Sequence, residues 1–247
     1  MPDRQIIFAM LTVPRSPTYV HSTLASFFAS FDGSSDFSPM HLMVGHSDDS
    51  YLDRYYGDRR VQIHKMSDAE WFETREYVLH RRFCANYLRA LQLAETTRSG
   101  ICICEDDVAF RTGFVDKLVE TIHEMEGPHG LTRYILAPYA AYDFEANSSF
   151  YRGELYCSYY APSFYGTQCV YYPPTVVAEV ADEMRRRGVE SYTAPGDWIV
   201  RDYGHGCNFI YACNRSLVQH VGFVTTGLGH MHQSPTFDRP YERLKRW

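Results

Sequence analysis

The sequence predicts an α/β fold: a mostly parallel central sheet with helices on both faces. Three observations predict it. Short, wholly apolar runs such as IIFAMLTV and ICIC recur along the first half, where a sheet with one solvated face would alternate apolar with polar residues. Segments of helical periodicity lie between those runs, so strand and helix alternate as they do in parallel sheets. The 247-residue chain shows no internal repeat, low-complexity tract or linker, and its length suits one large domain better than two small ones.

The elements follow in order. QIIFAMLTV reads as a first strand ended by Pro14. In PTYVHSTLASFFASF, residues Tyr19, Val20, Leu24, Phe27, Phe28 and Phe31 recur at helical spacing, Pro17 suits a first turn, and DGSSDFSP breaks the helix. HLMVG and VQIHK read as the next two strands, separated by the polar HSDDSYLDRYYGDRR. RRFCANYLRALQLAE places Phe83, Tyr87, Leu88, Leu91 and Ala94 on one helical face and leads into the strand ICIC. GFVDKLVETIHEM is a further helix, closed by GPHG. In the second half, RYILAPY and YGTQCVYY read as strands flanking an aromatic-rich connection, and PPTVVAEVADEMRRRG as a helix ended by Gly188. From GLGHMHQSP onward the chain is too polar and too rich in Pro and Gly to assign.

Composition narrows the function. Lys and Arg number 24 against 30 Asp and Glu, a net charge of -6, which argues against nucleic-acid binding through a basic surface. The opening MPDRQIIFAMLTV fits neither a signal peptide nor a membrane anchor, so we expect no integral membrane segment and a cytoplasmic protein. Seven cysteines without a CxxC pair suit reduced core thiols better than disulfides or zinc ligation. The 20 Tyr and 15 Phe point to a ligand surface, notably over Phe150, Tyr151, Tyr156, Tyr159, Tyr160, Phe164 and Tyr165. Aromatics at this density also serve to pack a long loop.

The chemistry concentrates in ICICEDDVAF. Ligands of a parallel sheet bind beyond the carboxyl ends of its strands, and Glu105, Asp106 and Asp107 stand there. Three adjacent carboxylates repel unless cations or hydrogen-bond donors neutralise them, and hard oxygen ligands suit Mg²⁺ or Mn²⁺ on a diphosphate. A capped acidic turn is the plainer alternative. Arg82 and Asn86, four apart on one helix, share a face on which they can either reach a ligand or meet solvent.

Four blocks, FAMLTVPRSPTYVHSTLASF, RRFCANYLRAL with CEDDV, PGDWIV and RSLVQHVG, occur in an order that resembles the GT-A class of nucleotide-sugar glycosyltransferases. More narrowly they are similar to the N-acetylglucosaminyltransferase IV-like family. The resemblance implies a GT-A (Rossmann-like) fold, with residues 1–110 as the nucleotide-sugar-binding half and 111–247 as the acceptor-binding and catalytic half. It implies an inverting transfer from a UDP-sugar, GlcNAc first, to a glycan or small-molecule acceptor, with Mn²⁺ or Mg²⁺ on the diphosphate. Thr12, Arg15, Arg82 and Asn86 would meet the donor. Asp107 and His220 would hold the metal, while Glu105 and Asp106 orient ribose, sugar or metal-bound water. His230 and His232 are rival ligands. Asp197 would be the general base, although Ala-Pro-Gly ahead of it also makes it a candidate helix cap. A metal-dependent nucleotidyltransferase or phosphohydrolase, or a non-catalytic glycan- or nucleotide-binding module, would use the same residues differently.

Overall fold

The computed structural model describes residues 6–31, 39–140, 154–159, 161–206, 209–223, 232–234 and 237. Its strands are β1 (Ile6–Thr12), β2 (Met40–Val44), β3 (Val61–Lys65), β4 (Gly100–Glu105), β5 (Val108–Phe110), β6 (Tyr134–Ala137), β7 (Tyr156–Tyr159), β8 (Cys169–Tyr172), β9 (Phe209–Cys213) and β10 (Val218–His220). Its α-helices are α1 (Val20–Ala29), α2 (Asp68–Thr74), α3 (Leu79–Thr97), α4 (Phe114–Glu126), α5 (Pro174–Glu183) and α6 (Gly196–Gly206).

Eight strands form one sheet in the order β3-β2-β1-β4-β8-β6-β9-β7. From β3 to β4 the pairing is parallel, as the sequence predicts. Beyond β4 the sheet is mixed: β8 runs antiparallel to β4 and β6, β6 pairs parallel with β9, and β7 is antiparallel to β9. The register sets Met10 beside Cys104 and Leu11 beside Glu105, which brings the exits of β1 and β4 to one level at the carboxyl edge.

The apolar runs are continuous because both faces of the sheet are covered. In β1 and β4, Ile7, Ala9, Leu11, Ile101 and Ile103 pack in the core with α3, α5 and α6. Phe8, Met10, Cys102 and Cys104 point the other way, into the core with α1 and α4. Phe27 anchors that second core, with its ring 5.3 Å from Phe8 and 5.2 Å from Phe110. Six cysteines are buried, and none of these six forms a disulfide. Among the described residues no helix is long and apolar enough to cross a membrane.

Several elements differ from the sequence expectation. α1 begins at Val20, so Pro17 precedes the helix instead of sitting in its first turn. The segment expected to be an aromatic-rich connection contains β7, and Tyr156, Tyr159 and Phe164 are buried. Those three rings therefore belong to the core and do not stack on a ligand. Phe150, Tyr151 and Tyr160 lie outside the described residues. α2, whose Ser67 and Glu70 form a capping box, also went unpredicted, as did β5, β9 and β10.

One buried contact ties α3 to β8. The hydroxyls of Tyr87 and Tyr172, both fully buried, are 2.7 Å apart. Tyr172→Phe leaves the Tyr87 hydroxyl buried without that partner, and denaturant unfolding should show a loss of about 1–3 kcal/mol. Adding Tyr87→Phe should cost less than the two single losses summed, because the second change removes the orphaned group.

Candidate active-site cleft

A cleft of about 590 Å³ opens at the carboxyl edge of the sheet. Thr12, Arg15, Arg82, Asn86, Glu105, Asp106, Asp107, Asp197 and His220 all line it, so the fold gathers every one of the primary candidates in one place. His230 lies outside the described residues. His232 packs its ring against Tyr165, 4.5 Å between centroids.

The carboxylates occupy the turn between β4 and β5. Asp106 and Asp107 are 5% and 6% exposed, which makes their neutralisation obligatory. Arg15 supplies one cation. Its guanidinium forks across both, pairing Nη2 with Asp106 Oδ1 and setting Nη1 3.3 Å from Asp107 Oδ2. Thr12 donates its hydroxyl to Asp106 Oδ2 at 2.6 Å, and Thr23 on α1 donates to the Asp106 carbonyl at 2.7 Å.

His220 arrives by a separate route. β10 pairs antiparallel with β5, placing His220 opposite Val108, and the Val221 amide donates to the Asp107 carbonyl at 2.9 Å. Nε2 of His220 then stands 3.4 Å from Asp107 Oδ2. Gly222 passes so close that an added Cβ would lie 2.3 Å from that same oxygen, so only glycine leaves the carboxylate in place.

The protonation pattern follows from these neighbours. Burial pushes Glu105 up to about 8, with the Asp107 charge adding to the rise. Burial pushes Asp106 up to about 6, against the pull of Arg15 and Thr12. For Asp107 burial also acts upward, but His220 and Arg15 outweigh it and hold the carboxyl below its ordinary range. His220 is the reciprocal case: burial favours the neutral ring, while Asp107 and Glu105 favour the imidazolium and prevail. Three carboxyl groups thus face one guanidinium and one imidazole on the cleft floor, a surplus of acidic groups that the proton retained on the raised Glu105 makes good.

That surplus bears on metal binding. Among the described residues no three His, Cys, Asp or Glu side chains gather into a ready cage. Asp107 Oδ1 is nevertheless buried without a hydrogen-bond partner, beside an imidazole on the other carboxylate oxygen. One carboxylate, with the His220 ring once it has given up its proton, makes a partial shell, which fits a divalent cation that takes its remaining ligands from a bound anion and water.

Three of the expected donor contacts are engaged within the protein. The Thr12 hydroxyl orients Asp106 and lies 3.1 Å from the Tyr51 hydroxyl. Asn86 donates to the Met43 carbonyl at 2.7 Å and accepts from Arg89 at 3.0 Å, so its amide locks α3 to the end of β2. Arg15 is held by the carboxylates. Arg82 differs, for no carboxylate among the described residues pairs with it, its Nε is buried without a hydrogen bond, and its guanidinium lies 5.8 Å from the Trp71 ring centre.

Asp197 sits apart, in the first turn of α6. Burial raises its pKa, against the Trp198 and Asp197 backbone amides and the charges of His80 and Arg201. The apolar run Trp198, Ile199 and Val200 after it reads as buried in the sequence, and the structure buries Ile199 and Val200 but leaves Trp198 half exposed, because the ring falls on the cleft side of α6. Leu79 and His80, which line the same cleft, carry no signal in the sequence that singles them out.

No protein-family profile and no curated protein matches the chain. Solved structures do. Staphylococcus aureus TarS aligns over 94% of this chain at a TM-score of 0.53 and 10% identity, and the chain spans 36% of that protein's length. Galactosyltransferase LgtC, solved with donor and acceptor sugar analogues, aligns over 81% of this chain and 70% of its own at a TM-score of 0.47 and 8% identity. A Thermus thermophilus protein described as mannose-1-phosphate geranyltransferase aligns over 84% and 73%, at 0.47 and 11% identity. At such identities the TarS match speaks for the fold alone, which is the GT-A-like α/β architecture expected.

Removing the forked cation should leave the carboxylates undercompensated. Arg15→Ala should lower the stability of the metal-free protein by about 3–5 kcal/mol in denaturant unfolding, since it strands the buried Asp106 and leaves Asp107 with His220 alone. Arg15→Lys should recover only part of this, because an ammonium cannot bridge both side chains as a planar fork does.

Proposed function

We propose that this protein is an inverting glycosyltransferase that moves a sugar from a UDP-sugar to an acceptor hydroxyl. The observation that carries the reading is the presence in one cleft of two carboxylate settings. Asp106 and Asp107 are paired with Arg15, whereas Asp197 forms no ion pair among the described residues and is held by the backbone amides that open α6. Titratable groups in contrasting environments within one site mark separate roles.

Asp197 is the general base. It takes the proton of the acceptor hydroxyl as that oxygen attacks the anomeric carbon from the face opposite the diphosphate. The bond between the anomeric carbon and the β-phosphate oxygen breaks, its electron pair leaves with UDP, and the anomeric configuration inverts. Arg82, lacking a carboxylate partner, faces the developing negative charge. Asp107 and His220 would hold Mn²⁺ or Mg²⁺, and Glu105 and Asp106 would orient ribose, sugar or water beside it. When bound, the cation neutralises charge on the departing diphosphate. UDP-GlcNAc is the first donor to test, on the strength of the N-acetylglucosaminyltransferase IV-like resemblance.

The assay is UDP release from a panel of UDP-sugars with Mn²⁺ and with EDTA. Slow, cation-dependent UDP release is expected, and release of UMP or pyrophosphate would instead indicate phosphoryl chemistry. With an acceptor, Asp197→Asn should lower transfer by about 10²–10⁴-fold, the usual contribution of a general base, while UDP still binds. The base must be ionised to act. Because the Asp197 pKa is raised, transfer should fall with decreasing pH above the ordinary aspartate range, and the variant should lack that acid limb.

A further inference from the structure

The acceptor's place in the cleft is marked by Trp198. This residue is 49% exposed and lines the cleft directly after Asp197, whereas most large apolar side chains are buried. Its indole is held in position. The Arg201 guanidinium lies 4.8 Å from the ring centroid, Asp202 fixes that guanidinium through bonds of 3.0 and 2.8 Å, and Arg187 holds Asp202 at 2.7 Å. Trp198 lines the cleft and Arg201 does not, so the guanidinium packs on the indole from outside the lining. Leu79, 39% exposed on the first turn of α3, is a second apolar group in the same lining.

A rigid, half-exposed aromatic beside a buried carboxylate is a specific combination. The indole offers an electron-rich face, and the carboxylate accepts a proton within the same first helical turn. Pyranosides match it. Their axial C–H groups form a weakly positive apolar face, and their rim carries hydroxyls. Both residues line the cleft, so a ring resting on the indole would carry its rim hydroxyls in the same space that Asp197 borders. A purely apolar occupant would deepen the burial of the carboxylate without offering it a donor, which is costly.

We infer that Trp198, with Leu79, forms the acceptor subsite and that the acceptor is a pyranoside stacked on the indole. The inference rests on the glycosyltransferase reading in assigning this sugar as the acceptor. The sugar-binding step can be tested separately.

The probes are methyl α- and β-glycosides of glucose, galactose, mannose and N-acetylglucosamine. Binding is followed by saturation-transfer NMR on the full chain, with and without UDP and Mn²⁺, and UDP binding is measured in parallel. At least one glycoside should bind saturably, with the ring protons of one face receiving most of the transfer. Trp198→Ala should weaken that binding tenfold or more with the unfolding midpoint retained, and Trp198→Phe should hold it within about threefold, since a smaller ring still stacks. If no glycoside binds, or if Trp198→Ala binds as the wild type does, the inference is overturned even where UDP binds. Failure of UDP to bind under any metal condition would overturn the glycosyltransferase reading instead.

Discussion

Two adjacent aspartates, each less than a tenth exposed at the end of a buried strand, cannot stand ionised without cations around them. Much of the surrounding structure answers that constraint. The loop leaving β1 brings in Arg15, which forks across both carboxylates, and Thr12 orients the first. The small β5–β10 sheet delivers His220 to the second. Gly222 follows within two residues because the backbone must graze the Asp107 carboxylate. Even so the balance depends on a proton held by the raised Glu105, and Asp107 Oδ1 is left without a hydrogen-bond partner. A cleft whose third carboxyl is balanced only by a proton is suited to receive a cation in its place, together with an anionic ligand that completes its shell.

The cleft also holds side chains in contrasting electrostatic settings. At one side Arg82 presents a guanidinium without a carboxylate partner among the described residues. At another, Asp197 begins α6 beside Trp198, with a carboxyl that burial makes more basic. A reaction that expels an anion and accepts a proton needs such a division, because one uniform electrostatic setting would favour one event and oppose the other. The sheet makes the division possible by bringing the ends of β1, β2 and β4 and the starts of α3 and α6 to a common edge.

The first half of the fold was legible in the sequence because its strands are buried on both sides and its helices carry clear apolar faces. β1 and β4 read as continuous apolar runs since alternate residues feed two different cores. The second half was harder. Antiparallel β8 inside a parallel sheet, β7 within a tyrosine-rich stretch and the three-residue strands β5 and β10 owe their form to long-range pairing, which leaves little periodic trace. The site divides in the same way. Glu105, Asp106 and Asp107 announced themselves by adjacency, but the engagement of Thr12 with Asp106, 94 positions away, and of Asn86 with Met43, 43 positions away, is visible only in three dimensions.

The central claim is that the cleft beside Asp107 takes up a divalent cation that a nucleoside diphosphate helps to hold. Crystals grown with UDP and Mn²⁺, measured for anomalous scattering, test it directly. The account predicts one manganese peak at coordination distance from Asp107 Oδ1 and His220, with diphosphate oxygens completing the shell. UDP bound elsewhere, or bound in this cleft with Arg15 still forked across both aspartates and no manganese peak, would contradict it.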